Sequence, residues 1–303
     1  MGECSGQSLR AFPLIPEEPV LTKGPWQVQE IEINYSDCAQ SAPIFPDVSQ
    51  IPNKVTATFK STKPTSLPQW TRRIVNRTGI LGSTTQCTIY FDIPEPIGPP
   101  VFLYYRLTKF YQNHRRYVSS LDTDQLKGVA VDNKTIQNSA CDPLTTDPVT
   151  GKAYYPCGLI ANSLFNDTIQ SPDLLNNDTY LMTNKGIAWS SDKVLIQQTK
   201  YQPWQVVPPP NWHNRYPNGY TNDTMPNLNQ DEAFMVWLRT AGLPTFSKLA
   251  RRNDTTAMAS GTYQLNIDDC TYLFFVFFSL FPSPFPCFIR TFFSPSFCTH
   301  LIL

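Results

Sequence analysis

Apolar and polar residues alternate along 28–34 (VQEIEIN), the period of a strand with one buried face. The same period recurs over 55–59 and over 261–267 (GTYQLNI), where Tyr263, Leu265 and Ile267 are expected to point inward. Residues 86–93 (QCTIYFDI) and 101–107 (VFLYYRL) predict two further strands, separated by the turn Pro94-Glu95-Pro96-Ile97-Gly98-Pro99-Pro100. Between the 55–59 and 86–93 strands lies a basic, proline-punctuated segment around Pro64, Pro68 and Trp70. The near-continuous apolar run 234–238 (FMVWL), bounded by Asp231-Glu232 and Arg239, fits either a strand covered on both faces or a short buried helix. Leu243-Pro244-Thr245 then predicts one or two helical turns as far as Leu249, with proline in the first turn where it is tolerated. Residues 208–220, rich in Pro, Asn, Trp and Tyr and without a period, predict a long surface excursion. With no internal repeat and no low-complexity linker, the middle of the chain reads as one domain of about 240 residues.

Composition strengthens the β reading. The 28 prolines outnumber the 13 glycines and aromatics reach 13%, which favours short strands with rigid turns over long helices. The 303 residues leave room for one or two domains with a full hydrophobic core. Charge argues against a polyanionic partner. Twenty-four basic and 24 acidic residues cancel, and the basic clusters Arg72-Arg73, Arg115-Arg116 and Arg251-Arg252 are pairs rather than runs, so no nucleic acid is expected.

Seven of the 19 asparagines stand in Asn-x-Ser/Thr: Asn34, Asn76, Asn133, Asn166, Asn177, Asn222 and Asn253. Ser and Thr make up roughly a sixth of the chain, so about three would fall there by chance, and the excess points to exposure to the glycosylation machinery. Cys38, Cys87, Cys141 and Cys157 have neither a Cys-x-x-Cys pair nor a nearby histidine to build a zinc site, which favours disulfides. Of the three possible pairings, Cys38 with Cys87 and Cys141 with Cys157 is preferred, because the second closes a polar loop rich in Pro, Asp and Thr; that closure is worth about 3 kcal/mol in the chain-entropy model. The termini conflict with an oxidising compartment. Residues 1–26 have no basic stretch followed by an apolar core, and Gly6 breaks the myristoylation pattern. The uncharged stretch 270–289 is long enough to span a membrane, but Pro282, Pro284 and Pro286 would remove hydrogen bonds that lipid cannot replace.

Catalytic chemistry is hard to place. The sequence has no nucleophile elbow, phosphate loop, dinucleotide fingerprint, His-Glu-x-x-His or calcium-binding loop. Only His114, His213 and His300 could serve as imidazole bases, which leaves histidine acid/base chemistry few candidates. Asp122 and Asp124 could be a carboxylate pair for glycoside hydrolysis, but two acids so spaced in a polar loop read as a solvated turn. The sharpest local signal is the block 110–117 (FYQNHRRY). It reads either as an arginine/aromatic docking surface, with the residue types that dominate interface hot spots, or as core rings with arginines bonding turn carbonyls.

Several blocks in order then make a specific resemblance: Gln29-Glu30-Ile31-Glu32-Ile33; 110–117 with Val118; 157–168 (CGLIANSLFNDT); Gly186-Ile187-Ala188-Trp189 with Ser191-Asp192-Lys193; and 234–241 with Leu243-Pro244-Thr245-Phe246 and Lys248-Leu249. Residues 28–269 resemble the exoplasmic domain of the ligand-effect-modulator, or cell-division-control-protein-fifty, family, the accessory β-subunits of type-IV P-type ATPases that flip phospholipids. The resemblance implies a mainly β fold, an antiparallel, sandwich-like ectodomain with long loops and a few short helices. It also implies disulfides at Cys38/Cys87 and Cys141/Cys157 and a glycan on Asn166; Asn76, Asn133, Asn177 and Asn222 are further glycosylation candidates. No catalytic residue, metal or cofactor is implied. The expected partners are the ATPase catalytic subunit and the phospholipid membrane, with Tyr111, His114, Arg115, Arg116, Trp237 and Arg239 as candidate docking residues. The expected role is support of the ATPase's folding, export from the endoplasmic reticulum and cycling, in secretory-pathway membranes from the endoplasmic reticulum to the Golgi, endosome or plasma membrane. A secreted or lumenal glycoprotein binding module, or a non-functional truncated product, is the alternative. Residues 1–27 and 270–303 do not resemble the family, both family membrane helices are expected to be missing, and the loss of C-terminal strands is expected to leave a sheet edge unpaired.

Overall fold

The computed structural model describes residues 29–52, 55–59, 62–76, 83–175, 178–268 and 299–302. The segment 1–27, the uncharged stretch 270–289 and the sequon asparagine Asn177 lie outside the described residues.

Two antiparallel sheets supply one hydrophobic core. The first runs in the order β11 (Phe246–Asn253), β6 (Val101–Leu107), β13 (Thr299–Ile302), β1 (Glu30–Asn34) and β3 (Thr56–Thr58). Alternation builds it: Ile31 and Ile33 of β1, and Val101, Leu103, Tyr105 and Leu107 of β6, are buried while the residues between them are more exposed. The second runs in the order β2 (Ser49–Gln50), β4 (Gln69–Asn76), β5 (Ser83–Ile93) and β12 (Gly261–Asp268), with β8 (Thr168–Ile169) and β9 (Asp173–Leu174) both on the far side of β12. Tyr263, Leu265 and Ile267 are buried, as their alternation requires. The opposite face of β12 is covered by a polar seam. Thr88 Oγ1 donates to Asn266 Oδ1 at 2.8 Å, and Asp268 accepts from Gln86 Nε2 at 2.5 Å and from Gln170 Nε2 at 2.8 Å. Those bonds let buried amides and a carboxylate stay in the sheet without unsatisfied groups.

Helices are short: α1 (Cys38–Ser41), α2 (Arg115–Ser119), α3 (Thr123–Leu126), α4 (Asn133–Gln137), α5 (Leu159–Asn162), α6 (Ser190–Leu195) and α7 (Glu232–Leu238). A two-residue parallel ladder joins β7 (Ala153–Tyr154) to β10 (Val206–Val207). Disulfides Cys38–Cys87 and Cys141–Cys157 tie α1 to β5 and close the loop ahead of α5.

Five expectations need correction or completion. The helix expected from Leu243 to Leu249 is instead the start of β11, because residues 246–249 pair with 104–107 of β6 and Phe246 packs edge-on against Phe110; tertiary pairing outweighs local propensity. The apolar run at 234–238 belongs to α7, started by Asp231, whose carboxylate accepts from Phe234 N at 3.0 Å. The excursion over 208–220 is anchored rather than superficial: a 3-10 turn at Pro210–Trp212 buries Trp212, and Tyr220 is buried with its hydroxyl donating to Tyr155 O at 2.6 Å. The C-terminal β13 lies inside the first sheet, between β1 and β6, with Glu32 opposite Ile302 and Thr299 opposite Leu107, and the sheet ends on β11 and β3. The segment around Trp70, read only as basic and proline-punctuated, forms β4, with Trp70 1% exposed.

The densest part of the core is α5. Gly158, with φ +97°, precedes it, and a Cβ there would stand 2.2 Å from Ser120 O, so only glycine fits. Ser120 Oγ accepts from Leu159 N at 2.9 Å. The indole N–H groups of Trp237 and Trp212 donate to Ile160 O and Ala161 O, each at 2.9 Å, and Asn162 Oδ1 accepts from Asn211 N at 2.9 Å. Too short to hold itself, α5 is held by side chains from three other segments.

Candidate functional site

The block 110–117 is split by its geometry into two faces. Lys109, at φ 59°, turns the chain out of β6, and Phe110 N donates to Pro244 O at 2.9 Å. The inward face is core. The Phe110 ring meets Tyr117, Trp237 and Phe246 edge-on at 6.0, 5.6 and 6.1 Å. Gln112, fully buried, accepts from Ala241 N at 2.9 Å, and the Tyr117 hydroxyl shares a 2.8 Å hydrogen bond with Ser163 Oγ. Burial pushes the Tyr117 hydroxyl up out of reach of any physiological titration. The outward face carries Tyr111, Asn113, His114, Arg115 and Arg116, all exposed. Arg116 pairs with Asp142 at 2.6 Å on the surface. The rings of Phe110 and Tyr117 are therefore core, as one reading expected, while the arginines lie at the surface, where Arg116 meets a carboxylate rather than a turn carbonyl.

A second exposed group lies on α6 and the end of α7. The Arg239 guanidinium donates to both Asp192 oxygens, at 2.6 and 2.8 Å, and sits 4.0 Å from the centroid of the Trp189 ring, which is 66% exposed. Val194 and Leu195 are exposed beside it in sequence. Beneath, Glu232 anchors the arrangement: its carboxylate accepts from Lys193 Nζ at 2.7 Å and from Ile187 N and Ala188 N at 2.9 and 3.1 Å. Burial alone would raise this carboxyl, but the Lys193 ammonium and the two backbone donors outweigh it and hold it below the usual value. The loop after α7 links the two exposed groups, since Ala241 N bonds Gln112 and Gly242 O accepts from Asn113 Nδ2 at 3.0 Å.

Of the six candidate docking residues, Tyr111, His114, Arg115, Arg116 and Arg239 reach the surface, while Trp237 is fully buried and belongs to the core that positions them. Sequence reasoning passed over the exposed group formed by Trp189, Asp192, Val194 and Leu195. The signal was present: a tryptophan followed by a short amphiphilic stretch whose aliphatics have no periodic partner. Asp122 and Asp124, the carboxylate pair weighed for glycoside hydrolysis, each have a structural role. Asp122 caps α3 by accepting from Gln125 N at 2.8 Å, and Asp124 pairs with Lys127 at 3.3 Å. Among the described residues no group of three or more His, Cys, Asp or Glu could hold a metal ion, and no helix is long and apolar enough to cross a membrane.

The sequon asparagines differ in availability. Asn34 is 7% exposed, with its oxygen accepting from Ser36 N and Oγ, and Asn253 Nδ2 donates to Leu181 O at 2.8 Å. Asn76, Asn133 and Asn222 are exposed, and Asn166 is half-buried.

Comparison with known proteins fits this geometry. The model of the LEM3 (ligand-effect modulator 3) family / CDC50 family matches residues 21–277. The chain is 45% identical over 256 residues to the phospholipid-transporting ATPase accessory subunit CDC50 of Chaetomium thermophilum, covering 80% of this chain and 63% of that protein. It is 44% identical over 243 residues to the accessory subunit CRF1 of Saccharomyces cerevisiae, covering 80% and 60%, and 37% identical over 202 residues to cell cycle control protein 50A of Mus musculus, covering 60% and 54%. The chain thus spans about three-fifths of the length of the curated fungal relatives it matches. With a family model running across both sheets, α5 and the exposed Arg239 surface, the chain belongs to the LEM3/CDC50 family.

Proposed function

We propose that this chain is the ectodomain part of a non-catalytic β-subunit of a type-IV P-type ATPase, supporting that ATPase's folding, export from the endoplasmic reticulum and phospholipid flipping. The observation that carries the reading is the family match, with relatives named as phospholipid-transporting ATPase accessory subunits. An outward surface of Tyr111, His114, Arg115, Arg116 and Arg239, extended by Trp189, supplies residue types suited to a protein partner. Trp237 acts from beneath as a positioning residue. Residues 28–269 form the ectodomain, facing the lumen of the secretory pathway, where its disulfides are stable. Asn76, Asn133, Asn166, Asn177 and Asn222 are its glycan acceptors.

The test is co-purification from cells expressing the full-length gene product. A type-IV ATPase retained with the wild-type subunit, and trapped in the endoplasmic reticulum when the subunit is depleted, is the expected result. An ATPase that leaves the endoplasmic reticulum at its normal rate without the subunit, with none co-purifying, would overturn the proposal and favour a lumenal binding module.

A further inference from the structure

Between β8 and β11 lies a cleft of about 250 Å³ whose lining includes Tyr105, Phe165, Asn166, Arg215, Asp231 and Arg251. Phe165 stacks on Tyr105 with ring centroids 4.0 Å apart and planes 8° from parallel, giving one wall an aromatic surface. Arg251 is half-buried and held by carbonyls, donating from Nε to Ile169 O at 2.6 Å and from its terminal nitrogen to Met182 O at 2.9 Å. Asp167, also in the lining, accepts from the Tyr35 hydroxyl at 3.1 Å. Two guanidinium groups and two carboxylates thus face one small space, and their charges balance.

A balanced lining has no net field with which to gather a phosphate or a metal cation. It does offer donors and acceptors side by side, next to an aromatic wall. Those are the requirements of a neutral ligand bearing hydroxyl and acetamido groups. The volume suits a sugar unit or two rather than a drug-sized molecule, which needs a larger pocket.

Asn166 makes the ligand specific. It opens the sequon Asn166-Asp167-Thr168 and lines the cleft, and its carboxamide has no hydrogen bond to any described residue. The amides of Asn34, Asn133 and Asn253 are each engaged by neighbours. The Asn166 amide is thus left open to the cleft.

We infer that the cleft seats the first N-acetylglucosamine units of a glycan carried on Asn166, so that this glycan is packed into the fold while those on Asn76, Asn133 and Asn222 stand in solvent. Attachment joins Asn166 Nδ2 to the anomeric carbon of a lipid-pyrophosphate-linked oligosaccharide; the nitrogen loses a proton and the lipid pyrophosphate leaves. The inference rests on the lumenal placement proposed above.

The experiment uses the full-length gene product made in a eukaryotic host, with occupancy of each sequon read by mass spectrometry before and after peptide-N-glycosidase treatment of the native protein. Release from Asn166 is expected to be slower than from Asn133 and Asn222 by on the order of tenfold or more, since the enzyme must wait for local opening, and equal to theirs after denaturation. Ala233, exposed on α7 and part of the cleft lining, offers a second variant. Ala233→Trp fills the cleft from an exposed helix position and is expected to bring native release at Asn166 up to the rate at Asn133. Equal native release in the wild type, resistance that survives Ala233→Trp, or an empty Asn166 beside occupied sequons would each overturn the inference while leaving the lumenal reading intact. If every sequon is empty, the lumenal reading itself fails and takes the inference with it.

Discussion

Arg239 lies 4.0 Å from the centroid of the Trp189 ring, a cation resting on an exposed aromatic face. A stacked pair of this kind at the surface adds about 0.5–1 kcal/mol to folding, and the partly exposed Arg239–Asp192 ion pair adds about as little. Its composition is nonetheless that of an interface anchor. Arg239→Ala and Trp189→Ala are therefore expected to shift the unfolding midpoint slightly while reducing ATPase co-purification several-fold. Loss of stability in proportion to loss of the partner would mark the pair as structural only.

Trp237 should behave in the opposite way. Trp237→Phe keeps most of the packing but removes the indole donor to the buried Ile160 O, which keeps the 3.1 Å hydrogen bond from Ser163 Oγ. A cost of about 0.5–1.5 kcal/mol is expected, and Trp237→Ala should cost about 3–5 kcal/mol. Denaturant midpoints for the two variants measure the difference.

Gly158→Ala combines a left-handed backbone angle with a Cβ 2.2 Å from Ser120 O, a backbone atom that cannot swing aside. Destabilisation beyond about 4 kcal/mol is expected, enough to abolish secretion of a folded ectodomain. Normal yield and protease resistance of this variant would refute the assignment of α5.

One carboxyl, one ammonium and two phenols set the pH response. The Glu232 carboxyl is held below its unfolded value, so its contribution is present above about pH 4.5 and is lost as pH falls through its folded value. Glu232→Gln should flatten the acid limb of a melting-temperature profile. Lys248 donates to Val236 O and Arg239 O, and burial, reinforced by the Arg239 charge, pushes its ammonium down to about 8. Between about pH 8 and 10.5 the unfolded chain keeps a proton that the folded chain has released, so stability rises with pH across that window. Above pH 10 the sign reverses, because burial pushes Tyr155 and Tyr180 up to about 12 and the folded chain then holds the extra protons. Lys248→Met should remove the rise between pH 8 and 10 and leave the later fall unchanged.

Opening the Cys141–Cys157 loop by Cys141→Ser with Cys157→Ser should cost about 3 kcal/mol, as expected for a closure of this length. Calorimetry of the double variant checks it.

Strands β1, β6 and β12 were legible because one face of each is more buried than the other, which writes the two-residue period into the sequence. β11 was not legible. Its Leu243-Pro244-Thr245 lead-in has the local chemistry of a helix start, and only β6, more than a hundred residues earlier in the chain, makes it a strand. The candidate surface was half legible for a similar reason. Residue types in 110–117 marked the place, but only the turn at Lys109 decides that Tyr111 faces out and Gln112 and Tyr117 face in. Burial of Trp237 likewise depends on the carbonyl of Ile160, which no local pattern connects to it.

The four residues of α5 borrow hydrogen-bond partners from positions 120, 211, 212 and 237. None of the segments that supply them can finish folding while another is missing, so the region from Ser120 to Trp237 has no stable subset. Fragments excised from it, or chimaeras joined within it, would yield chains that quality control retains. In exchange measurements, the amide protons of Asn162 and Ser163 should leave together and only with the whole ectodomain, making them reporters of global rather than local opening.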